Sequence, residues 1–538
     1  MNNFPFLILL LLIPLAGSIL VGYLGRDRSN ETLAKQTALA TAVLEFVVAI
    51  IMLIAYKPDG PRLQFTTSFG WIDSLGVKFS VGVDGIAIVM IGLVGLLVPI
   101  VMIASWHRDS LGDDTNEPGS EDEIAPPKGS VSRMFAWILL LEVFMVGVFA
   151  ATDVFLFYVL FEVMLVPMYF IIGAYGSAKR RAAAMKFFIY SLVGGLVMLA
   201  SVIGLYVISR QQLGNATFSW DALRQLDLSH TQQMWLFLGF FVAFAIKAPL
   251  VPFHTWLPKA GAEAPIAGGL LLIGILDKVG TFGFLRYCLP LFPWASQKIA
   301  PLVLVLAVIG IFYASFQAIG EKDIKRFVTY TSIAHFGFIA LGIFAFTTTA
   351  GVGAVLYMVN HGIATGLLFL IVGMVIRRGG SRNIADYGGL FRVAPILSGL
   401  FLLASLAALA LPGTNSFVSE FLVLIGAYAT VPVFTIIASV GIVFSAIYAL
   451  WIFQRAATGP ESALVVARKK VFGDLNKREI GVLTPLVILI FAIGIYPKPV
   501  LDIITPSVEA TLQIDVGVHD PAPTIAKPAA LSINGGAK

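Results

Sequence analysis

The 538-residue chain is 58% hydrophobic before its 51 glycines are counted and only 12% charged, which excludes a soluble globule because no compact shape of that size hides so much apolar surface. Lipid removes the difficulty, since hydrocarbon solvates those side chains and leaves only backbone polar groups to satisfy. The net charge of +5 comes from basic residues scattered through short loops, which argues against a nucleic-acid partner, and the lone Cys288 excludes a disulfide framework or a four-cysteine cluster.

Apolar runs of about twenty residues follow one another almost without pause. They predict spans at 4–24, 33–56, 81–106, 134–151, 153–175, 187–208, 234–256 and 265–289, then 299–319, 327–347, 350–376, 395–428, 432–453 and 480–496. The expected fold is an all-α integral membrane protein of about fourteen transmembrane helices, one polytopic domain over residues 1–538. The first run has no basic flank and no small-residue cleavage site, so it reads as a retained span and not a removable signal peptide. About two dozen of the 36 Lys and Arg fall in one set of alternate loops. The positive-inside rule then predicts both termini on the outer face and an even number of crossings.

Two stretches stand apart. Residues 113–128 form an acidic Pro/Gly-bearing loop expected on the cytoplasmic side, and residues 507–538 lack periodicity and read as an extended outer-face tail. Asn215-Ala216-Thr217 matches a glycosylation acceptor, a triplet short enough to arise by chance. Proline breaks interrupt the seventh span (Ala245-Ile246-Lys247-Ala248-Pro249, with Pro252 beyond) and the twelfth (Leu411-Pro412-Gly413). Five spans between equivalents imply inverted five-helix repeats, placed at about 132–290 and 299–454. Paired broken helices in such repeats mark ion-handling sites.

Ionisable groups inside hydrocarbon cost several kcal/mol or more, so each asks for a reason. Glu142, Asp153, Glu162, Lys247, Lys278, His335, His361 and Glu420 qualify. Asp153 stands at a span start and reads as a helix cap, and His254 beside Trp256 reads as an interfacial anchor. Asp277 adjoins Lys278, but neighbours on a helix face different directions, so no partner is assigned to it. Lys247 lies between prolines that free the carbonyls of Ala245 and Ala248. Burial disfavours its charge and a carboxylate favours it, so it can change protonation state when the partner moves; a static buried ion pair is the alternative. Glu162 and Glu420 are the obvious acids. His335 and His361, on consecutive spans between Lys278 and Glu420 in sequence order, fit a proton wire as well as they fit two satisfied core histidines. No phosphate-binding loop, dinucleotide fingerprint or metal-ligand spacing competes, and Gly351-Val352-Gly353 reads as helix packing.

The segments FEVMLVPMY around Glu162, AIKAPLVPFHTWLPKA around Lys247, ILDKVGTFGFLR around Lys278, EKDIKRFVTYTSIAHFGF from Glu321 and LPGTNSFVSEF up to Glu420 resemble the antiporter-like membrane subunits of complex I, over nearly the whole chain. Glu420 matches the M branch of that family, where chain L and the multisubunit sodium/proton antiporters carry a lysine. The resemblance implies that Glu162 and Lys247 form a switchable ion pair and that Lys278 connects it to the second half. His335 and His361 then bridge toward Glu420 at the outer half-channel. It also implies a non-redox, proton-translocating subunit of NADH:quinone oxidoreductase in a bacterial plasma membrane, beside other membrane subunits that include neighbouring antiporter-like chains. NADH, FMN, iron–sulfur clusters and quinone would sit on partner subunits, with no cofactor or metal in this chain. A cation/proton antiporter subunit and a subunit of a membrane-bound hydrogenase are the alternatives.

Overall fold

The computed structural model describes residues 4–107, 130–470 and 472–521. The acidic loop expected at 113–128 and the last seventeen residues of the expected tail lie outside the described residues.

Among the described residues fourteen apolar segments run back and forth, and twelve of them contain one helix long and apolar enough to cross a membrane. The first six spans are Phe6–Leu24, Glu31–Ala55, Gly85–Ala104, Val131–Ala150, Val154–Tyr175 and Arg180–Leu213. The eighth to eleventh are Ile266–Leu291, Pro293–Gly320, Ile324–Phe344 and Thr348–Gly379, and Pro432–Ala457 and Lys477–Ile495 are the thirteenth and fourteenth. The seventh and twelfth are the interrupted ones, His230–Lys247 followed by Leu257–Glu263, and Pro395–Ala408 followed by Asn415–Tyr428. Many spans begin on a residue whose side chain takes the first free N–H groups. Asp84, Asp153, Asp323 and Thr347 act in this way, and Ser229 and Asn476 close full capping boxes with Gln232 and Glu479. Buried helix ends need such partners because no water replaces them.

Position in the bundle follows from which sides are apolar. The eighth, tenth and eleventh spans are enclosed on every side, whereas the first, second and fourteenth leave most of their apolar surface outward. Such outward surface suits lipid. Small residues let helices close on one another. A methyl on Gly353 would lie 2.7 Å from the backbone of Val423 in the twelfth span, and one on Gly351 would lie 2.8 Å from the Val508 side chain, so both glycines serve helix packing.

One clasp occurs twice. At the start of the fifth span Asp153 bridges Ser219, with Val154 N–H donating to Phe218 O at 2.8 Å. At the start of the tenth, Asp323 bridges Asn383, with Ile324 N–H donating to Arg382 O at 2.9 Å. Each clasp ties a span start to the loop that leads into the next broken span.

Two regions differ from the sequence-based expectation. No strand is expected, yet β1 (Gln64–Ile72) and β2 (Val77–Val83) form an antiparallel hairpin. Residues 81–84 therefore belong to the hairpin and its exit, and the third span starts at Gly85 once the Asp84 carboxylate accepts from Ile86 and Ala87. The tail is not extended where it is described. Lys498–Glu509 is α-helical and Ala510–Val516 continues as a wider π-turn. Tertiary contacts hold it: Asp515 is gripped by Arg62 and by Arg224 at 2.7 Å, and both guanidinium groups lie over the ring of Trp220.

Candidate functional site

The seventh span ends as a helix at Lys247 because Pro249 cannot continue it. The freed carbonyls do not serve the lysine, contrary to expectation. Leu250 N–H donates to Ala245 O at 3.0 Å, and the Trp256 indole N–H takes Ile246 O at 2.7 Å. Lys247 Nζ is buried with no hydrogen-bond partner. It lies 4.8 Å from the Phe161 ring centre and 5.7 Å from that of Phe187. Those negative ring faces stabilise a cation without fixing it to one acceptor.

Glu162, next to Phe161 in the fifth span, is within electrostatic reach of Lys247. Its Oε1 has no hydrogen-bond partner, so the two expected members of the ion pair are brought together but not joined. The carboxylate fits only because Gly195 in the sixth span lacks a side chain, since a Cβ there would fall 1.5 Å from Oε1. Gly195 was not singled out from the sequence. A glycine pair in mid-helix (Gly194-Gly195), where glycine weakens a helix, was the available signal.

Lys278 follows a π-turn over Leu272–Leu276. That wider turn leaves the Ile273 carbonyl open, and Lys278 Nζ folds back to donate to it. The same Nζ pairs with Asp277 Oδ1 at 2.9 Å. Asp277 therefore does have a partner, its own neighbour, because the lysine curls backward. Nζ also lies 2.6 Å from His361 Nδ1 on the eleventh span and 5.3 Å from the Phe336 ring centre.

From His361 the polar line continues. Its ring centre is 5.3 Å from that of His335 on the tenth span. His335 Nε2 approaches the Tyr448 hydroxyl at 3.4 Å, and its ring centre lies 5.8 Å from that of Tyr357. Tyr357 donates to Glu420 Oε2 at 2.9 Å. Glu420 sits beyond the second break, which Asn360 pins by donating to Asn415 O at 2.7 Å and to Ser419 Oγ at 3.2 Å. Lys278, His361, His335 and Glu420 are thus gathered in one buried interior. Tyr357 and Tyr448, unforeseen from the sequence, bridge them. Tyr357 stands one turn before His361 on the same helix, a spacing that would have pointed to it.

The other candidates separate from this line. Asp153 caps the fifth span, accepting from Phe155 and Leu156 N–H at 3.0 Å each. His254 is buried, edge-on against Tyr313. Glu142 faces a second acid, Glu45 of the second span. Among the described residues no group of three or more His, Cys, Asp or Glu is placed to hold a metal ion.

Residues 151–445 match the family described as NADH:quinone oxidoreductase/Mrp antiporter, transmembrane. NADH-quinone oxidoreductase subunit M of Mycobacterium tuberculosis is 44% identical, over 98% of this chain and 97% of its own length. The chain belongs to the subunit M family. The Rhodobacter capsulatus member is 35% identical over 93% of this chain and 95% of its own. Among solved structures, a chain of respiratory complex I from Thermus thermophilus superimposes with a TM-score of 0.81 at 29% identity, covering 95% of this chain and all of that one. A chain of the Mrp complex from Dietzia reaches 0.78 at 17% identity, covering 96% of this chain and 99% of that one, a likeness of fold alone. This member of the subunit M family is a multi-pass membrane protein, and the Phe161–Phe187 cage, the Lys278 turn and the His335–His361 contact all lie within the matched residues.

Proposed function

We propose that this chain is the proton-translocating membrane subunit of a respiratory NADH–quinone oxidoreductase in a bacterial plasma membrane. The observation that carries the reading is the Lys278 ammonium, which bonds His361 at 2.6 Å and so links the Lys247 half of the interior to the Glu420 half. Lys278 can hand a proton to His361, and the His335, Tyr357 and Tyr448 side chains offer a line onward to Glu420. Water would close the gaps that remain in that line. On the other side, Lys247 is held by ring faces alone, so its proton responds to the position of Glu162. The glutamate at 420, where chain L and the multisubunit antiporters carry a lysine, supports the M branch of complex I over the antiporter alternative, and the companion chains of the native complex separate it from the hydrogenase alternative. NADH, FMN, iron–sulfur clusters and quinone are assigned to partner subunits, among them neighbouring antiporter-like chains, and the work reaches this chain as an electrostatic change.

Replacing Lys247 or Glu162 by alanine strands the remaining buried charge. Each change should lower proton pumping by reconstituted complexes at least about tenfold, with assembly retained. Gly195→Ala should act in the same direction, because its methyl occupies the place of the Glu162 carboxylate. Wild-type pumping by all three variants defeats the proposal.

The loop bias puts Lys469 on the cytoplasmic side and the Lys498–Glu509 helix on the outside. Cysteines placed singly at Lys469 and Lys498, both exposed, check this against a low background, since Cys288 is buried. A membrane-impermeant thiol reagent applied to intact cells should label the second and spare the first. The reverse pattern inverts the topology.

A further inference from the structure

Glu45 and Glu142 are fully buried in the second and fourth spans, with their side chains within hydrogen-bonding reach of each other. All four carboxyl oxygens lack a hydrogen-bond partner. As two carboxylates neither has a proton to donate, so the contact becomes a hydrogen bond only when one of them is protonated. Among the described residues no cation pairs with either acid. The first and third spans that pack alongside contain no charged residue. Of the other spans packed on the fourth, the fifth brings Glu162 and the eighth Lys278, which is already bonded to Asp277 and His361. Room for the pair is built in at Gly95 of the third span, where a Cβ would lie 3.1 Å from Glu45 Oε2. Like charges in so dry a place cannot both persist. A static structural role is a poor account of two such acids, because a pair of leucines would pack the same interface without the desolvation cost.

The pair also lies at a useful depth. Trp137 stacks on Phe170 at 4.7 Å, and a methyl on Gly147 would lie 2.9 Å from Leu160. Between those two contacts the fourth and fifth spans run antiparallel, with Glu142 and Glu162 at neighbouring levels. Both Glu45 and Glu142 fall outside residues 151–445, the stretch that matches the family.

We propose that Glu45 and Glu142 form a second proton-holding site, which always keeps at least one proton between its two carboxyl groups and exchanges a proton with the translocated pool during turnover. This rests on the proton-translocating reading above. In the exchange one carboxyl O–H gives its proton up, and the charge left behind is shared across the pair until a proton returns.

The test uses the intact, reconstituted oxidoreductase carrying Glu45→Gln, Glu142→Gln and both together, glutamine keeping the volume and a hydrogen bond across the pair. Infrared difference spectra of wild type against the double variant should show the loss of one or two deuterium-sensitive carboxylic-acid carbonyl bands, and no lost band overturns the proposal. Protons pumped per NADH oxidised should fall at least twofold in each single variant and no further in the double, because the two acids act as one site. Unchanged pumping overturns the exchange. Lys247→Ala measured alongside separates the two ideas. Pumping lost in Lys247→Ala but intact in the glutamine variants removes this site alone, while pumping intact in all of them removes the translocation reading. Retention of radioactive sodium by wild type but not by the double variant overturns the proposal in favour of a cation site.

Discussion

Lys278→Met should abolish proton pumping by the assembled complex, a loss of at least about a hundredfold, and should be the most damaging single change in this chain. Three groups depend on the ammonium: the Ile273 carbonyl, the Asp277 carboxylate and His361 Nδ1. Methionine matches the length of the stem and satisfies none of them. Removing one member of a buried pair costs about 3–5 kcal/mol, because the other charge is left without compensation. Asp277 is entirely enclosed, so it must take up a proton or disturb the eighth span. Adding Asp277→Asn should restore assembly without restoring pumping, which separates the structural debt from the transport role. Membrane potential and NADH–quinone turnover of reconstituted complexes are the readouts. A Lys278→Met complex that builds a wild-type potential would show that the two halves are joined by another route.

Glu420→Gln and Glu420→Asp should part company. Tyr357 donates to Glu420 Oε2 at 2.9 Å, and a glutamine carbonyl accepts that bond equally well, so the shape and the hydrogen bond survive. Glutamine cannot release a proton near neutral pH. Aspartate can, and the methylene it lacks leaves a gap that one water spans. Gln should therefore remove most pumping, about tenfold or more, while Asp keeps a substantial part. Tyr357→Phe should fall between them, since it removes the donor and leaves the acid. If Gln pumps like wild type, Glu420 is a strut for the break that Asn360 and Asn415 already pin, and the exit lies elsewhere.

Much of this was legible beforehand. The spans could be placed to within a few residues at most ends, because solvation by lipid depends on the local run of side chains and on little else. The two interruptions followed from proline, which removes a backbone donor wherever it stands. The Asp153 cap followed from an acid placed just before an apolar run. The eight ionisable candidates stood out because charge in hydrocarbon is rare, and of these the structure brings Lys278, His335, His361 and Glu420 into one interior and Glu162 near Lys247.

Which side chain meets which was decided by packing. The freed carbonyl of Ala245 does not serve Lys247 because Leu250 N–H reaches it first, and the Trp256 indole takes the neighbouring Ile246 carbonyl. Asp277 gained its partner only through a π-turn that lets Lys278 fold back. The place for Glu162 against Gly195, the bond from Tyr357 to Glu420 and the meeting of Glu45 with Glu142 each join residues on different spans. The hairpin and the helical tail likewise depend on long-range clasps such as Asp515 with Arg62 and Arg224. Hydropathy and proline placement act on one segment at a time, so the sequence by itself determined the membrane class, the number of crossings, the sites of the two breaks and the acids and bases carried inside. The rotation of each helix about its axis and the choice of its neighbours minimise the energy of the whole bundle, so only the tertiary structure decided the partners through which a proton can pass.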